Sequence, residues 1–156
     1  MRDSELRFIR QLGFTTPSPD HELYVALMLQ PRIVGSVVVL GILLQSAWPF
    51  LTLSAVMLWS TFRPTQHLFD AIYNRVVARP RGLPVLGIAP APRRFAQGIA
   101  ATFALVVAVA LLAHATYTAW ALQALFVTGA STVVFGQVCP PAELYQRRLG
   151  RERAIG

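Results

Sequence analysis

Two long blocks of this chain contain no charged side chain, and this feature constrains its fold more than any other. Residues 33–62 and 95–142 lack Asp, Glu, Lys and Arg, whereas all 14 basic residues, each an arginine, lie outside them. A soluble domain of this size needs charged faces, while a charge at the centre of a bilayer costs about 2.5–3.5 kcal/mol. The pattern predicts an integral membrane protein.

The composition agrees with this prediction and excludes other classes of protein. The chain has 156 residues, which is enough for one domain, and 54% of them are hydrophobic and 13% charged. A net charge of +7 is typical of nucleic-acid binding only when a soluble domain presents a basic face. Here the arginines flank apolar segments, so we expect membrane lipids and no nucleic acid as partners. The first ten residues contain no apolar run, so we expect no cleavable signal peptide.

The second uncharged block is long enough for two spanning helices, since one span needs about 20 apolar residues. We predict these spans near 95–114 and 118–138. The first block leaves two alternatives open, a single kinked helix over 33–62 or a hairpin with spans near 32–46 and 48–62.

The positive-inside rule favours the hairpin, because both turns, near 45–49 and 114–118, are then uncharged and all arginines share one side. The predicted fold class is therefore all-α and polytopic, with four transmembrane helices in two hairpins. We expect a multi-pass protein of the bacterial inner membrane with cytoplasmic N- and C-termini. The first pair is short for a bilayer, so it would tilt little, thin the bilayer or recruit residues upstream of Arg32.

Three further segments complete the predicted organisation around a transmembrane domain at 32–142. Residues 1–31 form a cytoplasmic segment with a short helix, whose start is predicted at Ser18-Pro19-Asp20. Residues 64–93 hold an amphipathic helix lying on the membrane surface, followed by a loop rich in proline. Residues 143–156 form a basic cytoplasmic tail.

Arginines and tryptophans supply the expected contacts with lipid headgroups or a partner. Tryptophans prefer membrane interfaces, so we predict interface anchors. These anchors are Trp48, Trp59 and Trp120. The arginines predicted to face lipid or a partner are Arg75, Arg79, Arg81, Arg93, Arg94, Arg147 and Arg148.

Two short motifs carry a resemblance to a known family. Arg94-Phe95-Ala96-Gln97 begins the third predicted span, and Cys139-Pro140-Pro141-Ala142-Glu143-Leu144-Tyr145 follows the fourth. Both resemble an uncharacterised bacterial membrane family, described as a domain of unknown function, whose second motif reads Cys-x-Gly-Cys-x-Leu-Tyr. The resemblance implies a cysteine pair that cycles between dithiol and disulfide. With Ala142 in the second place, Cys139 is left as a single redox candidate.

His114 is the other candidate site. Ala110 lies four residues before it, which resembles the pattern by which light-harvesting polypeptides bind bacteriochlorophyll, and haem would use the same imidazole nitrogen. A histidine at a membrane interface needs no ligand, however, so we expect no cofactor and no metal. Bacteriochlorophyll or haem at His114 is kept as an alternative, while His21 and His67 lie in polar flanks and are ordinary.

The sequence offers no catalytic apparatus. It contains no nucleophile–base pair, no paired carboxylates in the apolar blocks and no ionisable residue there of the kind that coupled carriers need. Small residues such as Gly35, Gly41 and Gly129 permit close helix contacts. We therefore expect a non-catalytic accessory subunit of a larger bacterial membrane complex, respiratory or photosynthetic. The alternatives are a redox or sulfur-linked protein using Cys139 and a pigment- or haem-binding subunit.

Overall fold

The computed structural model describes residues 3–14, 21–83 and 85–155, and within these ranges the chain is helical with no strand. A 3₁₀ turn (Pro64–Gln66) precedes the fourth helix, which continues through a π-helical turn (Asn74–Ala78) into a last short turn (Arg79–Arg81). The helices are α1 (Asp3–Gln11), α2 (His21–Leu44), α3 (Ala47–Phe62), α4 (Leu68–Tyr73), α5 (Ala91–Leu112), α6 (Thr116–Val134) and α7 (Pro140–Ile155).

The uncharged block 33–62 forms a helix–turn–helix and not a single kinked helix. Gln45 occupies the left-handed backbone region with φ of 44°, which ends α2. The Ser46 hydroxyl then accepts a hydrogen bond from the backbone N–H of Trp48 at 3.4 Å and caps α3. The second uncharged block turns in the same way between α5 and α6, where His114 has φ of 54°.

Four helices form an antiparallel bundle in which α2, α3, α5 and α6 follow one another around a ring. The most extensive contact joins α3 to α5, and α2 packs against α6. Small residues bring the helices close, because a Cβ atom added to Gly41 of α2 would lie 2.6 Å from the Phe50 ring of α3. The small residues that the sequence contains therefore serve in part for contacts within this chain.

Helix α2 begins earlier than the sequence analysis expected. The sequence suggested a short helix ending before Pro31 and a new span from 32, whereas the structure has one helix of 24 residues with Pro31 inside it. Residues upstream of Arg32 stay helical because Tyr24, Leu27 and Met28 are buried against neighbouring helices. The predicted helix start at 18–20 lies outside the described residues. At 1.5 Å per residue α2 is about 36 Å long.

The buried apolar side chains divide into two cores. The bundle core lies between the four long helices, and the terminal core joins α1, the first half of α2, the end of α4 and the start of α7. The terminal core contains Phe8, Ile9, Leu12, Tyr24, Ala26, Leu27, Met28, Tyr73, Ala78, Leu86, Cys139 and Ala142. The bundle core contains Val34, Val38, Ala47, Phe50, Leu53, Met57, Phe69, Ala101, Ala104, Val107, Ala108 and Phe126.

Two of the described helices, α2 and α5, are long and apolar enough to cross a membrane by length and composition, and α3 is a shorter apolar helix of 16 residues. In α4, Phe69 and Tyr73 point into the two cores, whereas Leu68 and Ile72 of α4 and Val76 of the π-helical turn are exposed. A helix is thus present within 64–93, and its apolar residues divide between the protein interior and the outer surface.

Candidate functional site: a buried polar layer between the two cores

Five polar side chains lie buried where the terminal core meets the bundle core. On α2, Gln30 lies between Met28 of the terminal core and Val34 of the bundle core. On α4, Asp70 follows Phe69 of the bundle core and precedes Tyr73 of the terminal core. We call this group the polar layer. Its members are Gln30, His67, Asp70, Arg93 and Gln97.

An ion pair between Arg93 of α5 and Asp70 of α4 forms the centre of the polar layer. The Arg93 guanidinium donates to both carboxylate oxygens of Asp70, with Nη1 at 2.8 Å from Oδ2 and Nη2 at 2.6 Å from Oδ1. Nη2 also donates to the Gln30 side-chain oxygen at 2.9 Å. Arg93 is 3% exposed and Asp70 5%, so the pair is shielded from solvent. A bidentate geometry of this kind offsets part of the desolvation cost of two buried charges.

His67 links the ion pair to Gln97. It caps the N-terminus of α4, where the backbone N–H of Asp70 lies 3.3 Å from Nδ1. Nδ1 is also 3.3 Å from Asp70 Oδ1, and Nε2 is in short contact with the Gln97 side-chain amide. The two ring nitrogens thus contact Asp70 on one side and Gln97 on the other, so the polar layer forms one connected network.

The electrostatic surroundings keep this histidine neutral. Burial and the Arg93 guanidinium lower the pKa of His67 below its ordinary value of 6.5, against the opposing influence of Asp70 and Gln97. A neutral ring beside a paired carboxylate carries no free charge into the interior. At neutral pH the ring therefore adds no positive charge to the interior and acts as a structural link.

The chemistry available to the polar layer is limited. Both carboxylate oxygens of Asp70 already accept hydrogen bonds from Arg93, and neither a hydroxyl nor a thiol nucleophile belongs to the group. Across the described ranges, no set of three or more His, Cys, Asp or Glu side chains is placed to hold a metal ion. What the layer can do is join α2, α4 and α5 through contacts that depend on direction.

Arg93 requires a correction to the sequence analysis, which assigned it to the surface that faces lipid or a partner. The structure buries it, because Asp70 provides a partner for its charge inside the protein. Arg94 lies beside it and is only partly buried. The remaining predicted surface arginines are exposed: Arg75, Arg79, Arg81, Arg147 and Arg148.

The predicted interface anchors and the pigment candidate lie at the surface. Trp48 and Trp120 are exposed in the first turns of α3 and α6, and Trp59 is exposed near the end of α3, with the Arg63 guanidinium 5.6 Å from its ring centre. His114 is exposed in the turn between α5 and α6, well separated in the chain from the polar layer.

Cys139 lies in the terminal core at the start of α7. Its backbone N–H donates to the Gln11 side-chain oxygen at 3.1 Å, which ties it to α1. Burial raises the pKa of its thiol, although a hydrogen bond from the backbone of Ala142 acts in the opposite direction. Ala142, which the motif resemblance aligned with a second cysteine, is fully buried in the same core. A buried thiol with a raised pKa is a poor nucleophile.

Three residues of the polar layer were missed by the sequence analysis, and for one of them a signal existed. Asp70 is the only acidic residue between Glu22 and Glu143, in a stretch otherwise rich in arginine, which marks it as a partner for one of them. His67 lies three residues before it and was taken as ordinary. Gln30 carries no comparable signal.

The two motifs that carried the family resemblance meet in the structure. The ring of Phe95 lies against that of Tyr145, with centroids 5.3 Å apart, so the start of α5 contacts α7. Gln97 of the first motif belongs to the polar layer, and Cys139 of the second belongs to the terminal core. The motif residues thus hold together the two ends of the region between α5 and α7.

A helical bundle with apolar outer faces and a buried Arg–Asp pair at one end defines an all-α protein with helices suited to a membrane. Residues 27–148 match the model of a family described as a domain of unknown function (DUF4395), and the chain belongs to this family. A search of curated proteins and a search of solved structures each found no significant match.

Proposed function

We propose that this chain is a non-catalytic accessory subunit of a larger bacterial membrane complex, embedded as two antiparallel helix hairpins. The observation that carries the proposal is the open outer face of α6. Of its 19 residues, only Ala119, Gln123 and Phe126 are buried, although the helix is apolar. A helix so sparsely covered within its own chain requires lipid or another protein around it.

The composition of that face favours a protein partner. Gly129, Ala130 and Ser131 lie on α6 with Gly129 exposed and the other two only partly covered, and a Cβ atom at Gly129 would meet nothing within 4 Å. Small residues let another helix approach closely in a membrane, where packing replaces the hydrophobic effect as the cause of association. Leu125 and Phe135 add exposed apolar area nearby.

The polar layer supports a structural role. Its groups bond mainly to one another, and its connections run between α2, α4 and α5, so it stabilises the bundle from inside. The exposed arginines Arg75, Arg79, Arg81, Arg147 and Arg148 would then lie on the cytoplasmic side, where anionic lipid or an acidic partner attracts them. The apolar part of α3 is about 24 Å long at 1.5 Å per residue, so the bilayer would thin locally.

Native gel electrophoresis of complexes extracted from the cell membrane tests the proposal. The membrane is dissolved in mild detergent, and the band containing this chain is analysed by mass spectrometry and by its absorption spectrum. We expect migration with a defined set of larger subunits, which would identify the host as respiratory, photosynthetic or other. Migration as a small free species would contradict the accessory role.

A pair of matched variants locates the contact. Gly129→Leu places a bulky side chain on the open face of α6 and should remove the chain from the complex band. Ala55→Leu places the same side chain on an exposed position of α3 and should leave it there. Equal behaviour of the two variants would show that α6 is not the contact surface.

The two alternatives from the sequence have their own outcomes in the same experiment. A redox role requires the Cys139 thiol, so Cys139→Ser would abolish that role. An accessory subunit carrying the same change would still migrate with the complex. A pigment or haem at His114 would give the band a visible absorption that His114→Leu removes. The buried thiol and the exposed histidine described above favour neither alternative over the accessory role.

A further inference from the structure

A groove of about 750 Å³ runs along the outside of α5, between the end of α3 and the start of α7. It lies on the opposite side of α5 from the polar layer's ion pair and takes no part in that network. Its walls include Phe62 of α3, Tyr145 of α7 and four residues of α5, which are Arg94, Phe95, Ile99 and Val106.

The wall of the groove is apolar along most of its length. Phe62, Ile99 and Val106 are exposed apolar side chains. Thr61 and Thr102 also line the groove, but each hydroxyl donates to a carbonyl of its own helix, at 2.8 and 2.9 Å. The groove therefore offers almost no hydrogen bonds to an occupant along this part, and it suits a hydrocarbon chain.

One end of the groove carries a charge that no described residue neutralises. Among the described residues, the buried Nε of Arg94 has no hydrogen-bond partner, and Arg94 forms no ion pair. The carboxylate of Asp70 is already paired with the adjacent Arg93, and that of Glu143 is paired with Arg147. Because a guanidinium carries a positive charge and no described carboxylate pairs with that of Arg94, an anion from outside the chain can bind it.

The length of the groove fits one leaflet of a bilayer. From Arg94 to Val106, α5 rises by about 18 Å at 1.5 Å per residue. Half of a hydrocarbon core of about 30 Å is about 15 Å. Arg94 would thus lie at headgroup depth while Val106 lies near the membrane midplane.

We propose that this groove binds one anionic phospholipid, with its phosphate on Arg94 and an acyl chain along α5 towards Val106. The proposal rests on the membrane location given under the proposed function. It commits to a lipid because the guanidinium and the apolar wall are continuous, so that one molecule with a charged head and a hydrocarbon tail satisfies both. A partner helix would leave Arg94 without its anion.

The test uses the full-length protein, purified in neutral detergent and depleted of lipid. It is incubated with mixed micelles containing phosphatidylglycerol or phosphatidylcholine, and the phospholipid retained after size exclusion is measured. We expect retention of a single phosphatidylglycerol per chain. Arg94→Gln should reduce this retention about tenfold, as loss of one charge-assisted contact predicts, and remove the preference over phosphatidylcholine.

Two further variants separate the groove from general effects of charge and folding. Gly98→Leu fills the groove beside Thr61 and should abolish retention of both lipids, since a Cβ atom there already reaches Thr61 at 3.6 Å. Arg10→Gln removes an exposed arginine of α1 outside the groove and should behave as the unmodified protein. Thermal unfolding of each variant checks that it is folded.

Equal retention of the two lipids, or unchanged retention by Arg94→Gln, would overturn the lipid proposal. If inorganic phosphate alone raised the thermal unfolding temperature as much as phosphatidylglycerol does, the proposed binding of an acyl chain in the groove would be overturned. Extraction of the native membrane with alkaline carbonate distinguishes the two levels of failure. If the chain is released, the membrane location fails together with the groove; if it is retained, only the lipid site fails.

Discussion

Arg93 and Asp70 form a bidentate ion pair between α5 and α4, with nitrogen–oxygen distances of 2.8 and 2.6 Å, in the interior of the protein. The pair joins the second helix hairpin to the segment that follows the first. Because Gln30 of α2 accepts a third hydrogen bond from the same guanidinium, one side chain connects three helices. The stability of the bundle should therefore depend strongly on this contact.

Removing one partner of the pair should destabilise the protein markedly. Asp70→Asn leaves the Arg93 guanidinium buried without a counter-charge, and such losses cost about 3–5 kcal/mol. Thermal unfolding in detergent measures the change. Asp70→Leu combined with Arg93→Met removes both charges and should recover most of the loss. A double variant as unstable as Asp70→Asn would show that the charges are not coupled as described.

The stability should also depend on pH through His67. Its pKa is lowered in the folded state by burial and by Arg93, so the unfolded state binds the proton more tightly. The corresponding stability is fully present above about pH 6.5, the ordinary histidine value. It is lost as pH falls from there through the lowered folded-state pKa, with a slope of at most about 1.4 kcal/mol per pH unit.

Thermal unfolding of the unmodified protein and of two variants across this pH range checks the prediction. His67→Gln should flatten the dependence, because glutamine retains polar contacts without titrating. His114→Asn, which changes an exposed histidine that forms no ion pair among the described residues, serves as the control. A slope that survives His67→Gln would assign the pH dependence to another group.

Cys139 should react slowly with alkylating reagents in the folded protein. The thiol is buried, and burial raises its pKa, so little thiolate is accessible. Gln11→Ala removes the hydrogen bond between α1 and the backbone of Cys139, and should increase the labelling rate up to about tenfold. Mass spectrometry of timed samples measures the rate. Fast labelling of the unmodified protein would contradict the buried position of the thiol.

Ala142→Cys should create an intrachain disulfide. Position 142 lies one helical turn after Cys139, and the Ala142 backbone N–H already donates a hydrogen bond to the Cys139 sulfur. Mild oxidant should remove two thiols together, as free-thiol titration records, whereas Ala142→Cys in a Cys139→Ser background should keep its single thiol. A folded variant that retains both thiols under oxidant would show that this position does not support a dithiol–disulfide pair with Cys139.

The sequence predicted much of the fold because charge is excluded from the apolar helices. The uncharged blocks indicated four helices in two hairpins, and the polar turn at Gln45 and Ser46 marked where the first hairpin bends. The start of α2 was placed too late, because Pro31 and Arg32 suggested an end that tertiary contacts of Tyr24 and Leu27 override.

The polar layer was harder to predict, since it depends on contacts between residues far apart in the chain. Arg93 and Arg94 are adjacent and chemically identical, yet one is buried and the other lies in the groove. Only the position of Asp70 on the neighbouring helix distinguishes them. Likewise, the π-helical turn at Asn74–Ala78 has no sequence signature, although Asn74 holds the following loop through two hydrogen bonds to the backbone of Leu86.

The most direct test of the two-hairpin arrangement measures on which side of the membrane two exposed positions lie. Single cysteines are introduced by Arg79→Cys and Tyr117→Cys in a Cys139→Ser background, and right-side-out spheroplasts are treated with an impermeant maleimide. We predict labelling of position 117 in intact spheroplasts and of position 79 only after lysis. Labelling of position 79 in intact spheroplasts, or of neither position before lysis, would contradict two hairpins with their arginines on the cytoplasmic side.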